Sequence, residues 1–158
     1  MIIRKATLDD VQVIWEVHTR SIESLCAPDY APNQIQAWVG GKKPEYYVER
    51  IQRDPTYVAE IAGNVVGFIR FRPPTNELCS IFVDPDYTRQ GIGTDLFKKA
   101  CEEAKYLGMT TFWLDASLTA VPFYQAMGFL NEGQTTHRFS GVDLKCIRMR
   151  KHLDERQL

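Results

Sequence analysis

A mixed α/β fold is predicted by three features of this sequence. Apolar residues recur at helical spacing in some stretches, and in others form short β-rich runs. Two such runs, Tyr57–Ile61 and Val65–Phe71, are joined by Ala62-Gly63-Asn64, which marks a β-hairpin and argues against a plain doubly wound sheet. The third feature is composition: 158 residues, 44% hydrophobic and 25% charged, as in an ordinary globular protein. A chain of this length buries about 70% of its unfolded surface and needs no metal or disulfide to fold. One domain over residues 1–158 is expected.

In chain order, Ile2–Lys5 reads as a short first strand. Thr7 then opens a helix, because its hydroxyl can accept a backbone N–H and Asp10 stands in the first turn. Val11, Ile14, Trp15, His18, Ile22 and Leu25 form the apolar stripe of that helix. His18, lying in the stripe, reads as a core or boundary histidine ahead of a catalytic one. Pro28, Pro32, Gly40 and Gly41 break the next stretch into loops around a short helix, opened by Pro32 and carrying Ile35 and Trp38. A second helix is expected from Pro44 to about Arg53, with Tyr47, Val48 and Ile51 inward. The hairpin follows, and Pro73-Pro74 ends its second strand. Leu78–Val83 is the next strand, stopped by Asp84-Pro85.

A helix must begin near Gly91 or Gly93. Leu96, Phe97, Ala100, Cys101 and Ala104 make its buried face, and Gly108 ends it. Thr110–Leu114 is a strand, and Val121–Met127 is a short helix closed by Gly128. Two strands follow Phe129, broken at Ser140-Gly141, the last near Leu144–Met149. From Lys151 or His152 to Leu158 a solvated tail is expected. The predicted order is β–α–α–β–β–β–α–β–α–β–β.

Nineteen basic and twenty acidic residues leave a net charge of −1. Nothing global therefore draws the chain to nucleic acid or an acidic membrane, and an anionic ligand must be held by a local arrangement. Cys26, Cys79, Cys101 and Cys146 are far apart and contain no Cys-x-x-Cys pair, so no metal site is expected. Arg4 and Lys5 interrupt the apolar start, and no apolar run approaches the ~20 residues that span a bilayer. A reduced, cytoplasmic protein is expected.

The segment from Val83 to Thr94 carries the chemistry. A strand ends, a tight turn follows, and a loop containing Gly91 and Gly93 opens a helix. Free N–H groups at a helix start carry about half a positive charge, and glycines let a bulky anion approach them. Arg89 adds a mobile positive charge. This combination suits a phosphate or diphosphate, although glycines that merely start and pack a helix would read the same way. A dinucleotide-binding loop would need a third glycine, and a P-loop would need Gly-Lys-Ser/Thr; neither is present.

The segment resembles the acetyl-CoA signature of the GNAT superfamily of N-acetyltransferases, Arg/Gln-x-x-Gly-x-Gly/Ala. The strand before it, Ile81-Phe82-Val83, runs into Asp84-Pro85 as the family's does. A second block, Ala120-Val121-Pro122-Phe123-Tyr124-Gln125-Ala126-Met127-Gly128-Phe129, is similar to the family's Ala-x-x-Phe-Tyr-x-x-x-Gly-Phe helix. The opening Ile3–Asp10 also looks like the family's, and Asp115–Ala120 looks like a bacterial branch of it. Two positions depart from the pattern: Thr88 stands where Arg or Gln is usual, and Ser117 where many members carry Asn.

The resemblance implies a GNAT-like fold: a twisted, mostly antiparallel sheet, splayed between strands four and five and flanked by helices. It implies acetyl-CoA as co-substrate, its pantetheine held by the backbone of Ile81, Phe82 and Val83, and its diphosphate wrapped by Arg89, Gln90, Gly91, Ile92, Gly93 and Thr94. Tyr124 matches the tyrosine that protonates the departing thiolate; the alternative is a tyrosine that only packs its helix. Glu77 falls where some members carry a general base, or is a surface carboxylate at the edge of its strand. Asp115 is a weaker base candidate, better read as capping the turn before Ala120. Cys79 and Cys101 are then core thiols. Tyr30, Trp38, Tyr46 and Tyr47 either wall an acceptor pocket or cover the sheet.

The implied reaction is direct transfer of acetyl to a primary amine of a small molecule or peptide, by a monomer or homodimer. The alternative is a CoA-binding regulatory module without turnover.

Overall fold

A computed structural model describes residues 1–153. The chain runs β1 (Ile2–Lys5), α1 (Val11–Leu25), α2 (Pro32–Gly40), α3 (Tyr46–Arg53), β2 (Thr56–Ile61), β3 (Asn64–Arg72), β4 (Glu77–Val83), α4 (Ile92–Tyr106), β5 (Thr111–Ser117), α5 (Val121–Ala126), β6 (Leu130–Phe139) and β7 (Val142–His152). The strands form one seven-stranded sheet in the order β1-β2-β3-β4-β5-β7-β6. Every neighbouring pair is antiparallel except β4 and β5. The mixed α/β class is as the sequence pattern predicts, and the mostly antiparallel sheet is as the resemblance implies.

Period-two alternation in β2 and β3 feeds two helical layers. Ala59, Ile69 and Phe71 meet Leu96, Phe97 and Ala100 of α4 on one face. Val58 and Phe68 meet Ile14 and Val17 of α1 and Tyr47 of α3 on the other. Both faces are thus covered, which is why these strands read as continuous apolar runs. Gly67 lets the layers close: a Cβ there would stand 3.1 Å from the Phe82 carbonyl oxygen and 3.2 Å from Leu96 Cδ1.

Several details differ from expectation. Three helices precede β2 where the predicted order counts two, because the Pro32 segment is a full nine-residue helix. Thr7 does not cap through its hydroxyl. The Asp10 carboxylate accepts the Thr7 N–H at 2.8 Å, and the Thr7 carbonyl accepts the Asp10 N–H at 3.0 Å. β6 and β7 are longer than expected, ten and eleven residues: β7 pairs with β6 as far as Arg150 and with β5 from Cys146 to His152. Lys151 and His152 therefore belong to β7, not to a tail, and Leu153 is buried in the core. The rest of the expected tail, residues 154–158, lies outside the described residues. Among the described residues no helix is long and apolar enough to cross a membrane.

Candidate active site

β4 and β5 pair at one position, Glu77 with Trp113. Beyond it the edge of β4 that faces β5 has no strand partner, so backbone N–H and C=O groups stand open to whatever fills the gap. A bulge adds to this: Arg70 pairs with Ser80 and Phe71 with Leu78, leaving Cys79 unpaired on β4. Two cavities occupy the gap, one of about 490 Å³ and one of about 360 Å³. Both are lined by Ile81, Phe82, Ser117 and Ala120, where they adjoin.

The larger cavity ends on the start of α4. Gly91 caps that helix at φ +80°, a left-handed conformation that a side chain would strain. Ile92, Gly93 and Thr94 form the first turn, whose N–H groups lack intrahelical acceptors. A Cβ on Gly93 would sit 3.3 Å from the Phe123 ring, so this glycine also serves the packing of α5. Arg89 lines the same cavity, as do Ile81, Phe82 and Val83; Gln90 is exposed and is not among its lining residues. Thr88, the departure from the signature, lines the cavity and donates its hydroxyl to the Pro85 carbonyl at 3.2 Å. The turn is braced from α1, where Arg20 reaches both Asp84 and Asp86.

The smaller cavity brings Tyr124 and Glu77 together, with Tyr30, Trp38, Tyr46 and Tyr47 all on its wall. Tyr124 is buried, and burial holds its phenol well above the usual value. Its ring meets Phe123 and Phe129 edge-on, and among the described residues its hydroxyl has no hydrogen-bond partner. Tyr30 doubles as a strut: its hydroxyl donates to the Lys145 carbonyl at 2.6 Å and accepts the Leu118 N–H at 2.9 Å. His18 is buried, contacts the Tyr47 hydroxyl through Nδ1, and lies tilted against Phe82 with ring centroids 4.5 Å apart. Burial, then Lys42 and Arg70, hold it neutral, well below its ordinary range, in keeping with a core histidine.

Two expectations are corrected here. Asp115 does not cap the turn before Ala120; Ser117 does, through its carbonyl and its hydroxyl. Asp115 is instead gripped by Arg148 at 2.8 and 2.9 Å and touches His137 Nε2 at 2.7 Å. Burial raises its carboxyl, but these partners outweigh burial and leave it below the usual range, which makes it a weaker base. Cys79 is not a core thiol. The bulge turns it onto the cavity wall, where burial lifts it to about 11 and leaves it a thiol at neutral pH. Cys101 is in the core, as expected.

Lys42, Arg50, Arg70 and His137 also line this cavity and were not singled out in the sequence. Arg70 alone left a trace there, as a charge inside the apolar run of β3.

Residues 26–153 match the family model of the acetyltransferase (GNAT) domain. The chain belongs to the GNAT family of acetyltransferases. It is 31% identical over 127 residues to the uncharacterized N-acetyltransferase YafP of Escherichia coli K12, covering 80% of this chain and 79% of that protein. A GCN5-related N-acetyltransferase from Rhodopseudomonas palustris superposes with a TM-score of 0.90 at 27% identity, over 96% of this chain and 94% of that one. The PaiA N-acetyltransferase of Thermoplasma acidophilum, crystallised with coenzyme A, shares the fold with a TM-score of 0.76 at 24% identity, over 96% and 98% of the two chains. In this GNAT acetyltransferase the unpaired edge of β4 and the open start of α4 border one continuous gap.

Proposed function

We propose that the protein transfers the acetyl group of acetyl-CoA directly to a primary amine. The observation that carries this reading is the meeting of two cavities at the unpaired edge of β4. The larger ends on the free amides of α4, which suit a diphosphate, and the smaller holds Tyr124 and Glu77. The diphosphate is held by Arg89 and the amides from Gly91 to Thr94, and the pantetheine lies along Ile81, Phe82 and Val83. The sheet groups left unpaired there bind the arm and polarise the thioester carbonyl. Gln90 is left with a backbone role at most, given its exposure.

The amine enters from the smaller cavity. A lysine-type amine has a pKa of ~10.4 and must lose a proton before it attacks. Glu77 takes that proton, the nitrogen attacks the carbonyl carbon, the C–N bond forms and the C–S bond breaks. The electron pair leaves on sulfur, and Tyr124 supplies the proton that makes the free thiol. Glu77→Gln is expected to lower kcat/KM about 10²-fold while acetyl-CoA binding persists, as measured by thiol release. One observation favours a second base: with Nε2–H donated to Asp115, His137 would leave Nδ1 free to accept a proton in the same cavity. An unchanged rate in Glu77→Gln moves the role to His137.

Calorimetric titration with acetyl-CoA, CoA and adenosine tests the co-substrate. One site that needs both diphosphate and pantetheine is expected. No binding at millimolar acetyl-CoA overturns the reading. Binding without thiol release toward any amine would leave the chain a CoA-binding module.

A further inference from the structure

The smaller cavity carries an excess of positive charge that acetyl transfer alone does not explain. One carboxylate, Asp54, with a side chain 1% exposed, faces three guanidinium groups: Arg70 at 2.6 Å, Arg53 at 3.1 Å and Arg72 at 3.4 Å. Arg70, its side chain 7% exposed, lines the cavity, and its Nε is buried with no hydrogen-bond partner among the described residues; Nε of Arg72 makes no hydrogen bond either, although Asp54 Oδ1 stands 3.4 Å from it. A buried guanidinium N–H without an acceptor is costly, and native sites that keep one generally supply the acceptor from a ligand or water.

Two further cations stand on the same wall. Arg50 lies 3.4 Å over the Tyr46 ring and donates to the Tyr46 carbonyl at 2.8 Å. Lys42 lies 5.0 Å from the Phe139 ring centroid and 5.7 Å from that of Tyr46. Neither meets a carboxylate among the described residues. Burial, then Arg50 and Arg70, push the Lys42 ammonium down to about 8. Of the two carboxylates on the wall, Asp115 is occupied by Arg148 and His137. A bare cationic amine, and a polyamine most of all, would be repelled here.

Resting on the acetyltransferase reading above, we infer that the acceptor is a small amine that carries an oxyanion on the same molecule. Arg70, Lys42 and Arg50 hold that carboxylate or phosphorus oxyanion. The amine then points away from them, toward Phe82, Ser117 and Ala120 where the cavities meet. Opposite charges at its two ends give such a molecule one orientation, and the aromatic wall flanks its body. A volume of about 360 Å³ suits a ligand of amino-acid size.

The test compares acids with their amides. L-phenylalanine against L-phenylalaninamide, glycine against glycinamide, and aminomethylphosphonate are assayed by thiol release from acetyl-CoA. The acid is expected to exceed its amide in kcat/KM by about tenfold or more, as charge-assisted hydrogen bonds imply. The assays are run at pH ~7, where the larger neutral fraction of the amide's less basic amine offsets its weaker nucleophilicity. In the Lys42→Gln/Arg50→Gln variant, both sites being only partly buried, the acid-to-amide ratio is expected to fall at least about tenfold. A second readout needs no turnover: the CoA-loaded protein is titrated with N-acetyl-L-phenylalanine and with its amide. Tighter binding of the acid supports the inference. Equal binding, tighter binding of the amide, or no binding of the acid at millimolar concentration overturns it. Turnover of amides with no preference for acids would also overturn it while leaving the acetyltransferase reading intact. Failure of acetyl-CoA itself to bind is the separate failure of that reading.

Discussion

Tyr124→Phe is expected to lower kcat by about 10²-fold or more, with little change in the affinity for acetyl-CoA. The ring packs edge-on against Phe123 and Phe129 and sits in the main core, so phenylalanine preserves what the ring does structurally. The hydroxyl has no partner among the described residues, so removing it strands no buried group. What it loses, on the proposed mechanism, is the proton donor to the leaving sulfur. Burial holds the phenol well above its usual pKa, so the proton stays in place across and beyond the neutral range. An acid that weak acts first as a hydrogen bond that strengthens as negative charge builds on sulfur, and the proton follows as the C–S bond breaks. The kcat profile of the native protein should therefore show no alkaline loss of this donor below pH ~10. Thermal unfolding run beside the kinetics separates chemistry from packing. An unchanged kcat with an unchanged melting temperature would reduce Tyr124 to a packing residue.

The parts of the fold that were legible in the sequence are those whose pattern reports their own burial. β2, β3 and α4 pack on the sheet core by their own apolar residues, so period and punctuation locate them to within a residue or two. β6 is mostly exposed, and its length is set by pairing with β7 rather than by its own side chains. The end of β7 escaped for the same reason, since Lys151 and His152 are strand residues only because β5 lies beside them.

The site divides along the same line. Gly91, Gly93 and Tyr124 lie within short motifs, where spacing along the chain stands in for position in space. The contact between His137 and Asp115 joins residues 22 apart, and the Tyr30 hydroxyl reaches residues 88 and 115 away. Cys79 was misread because a bulge breaks the alternation on which its inward assignment depended. The cationic wall combines α3, β3 and the loop carrying Lys42, and no local pattern announces such a convergence.

The convergence has a structural cost that Asp54 bears, and Asp54→Asn is expected to destabilise the protein by about 3–5 kcal/mol. The substitution keeps shape but removes the counter-charge of Arg70, whose side chain is only 7% exposed. For a chain of this size that corresponds to a fall of about 10 °C in melting temperature. Acid should expose the same dependence. Burial raises the Asp54 carboxyl, but hydrogen bonds from Arg53 and Arg70 outweigh it and hold the folded value below the ordinary one. A group depressed in the folded state stabilises it fully above its unfolded pKa of ~3.9 and loses that contribution as pH falls through the folded value. The native protein should therefore weaken below pH ~4, and Asp54→Asn should flatten that limb. Adding Arg70→Met to Asp54→Asn removes the stranded charge and should recover most of the lost stability, because replacing both members of a buried pair costs less than removing one. Urea unfolding of the native, single and double variants at pH 4 and pH 7 measures all of this. A double variant no more stable than Asp54→Asn would mean that the loss comes from packing rather than from the unpaired guanidinium.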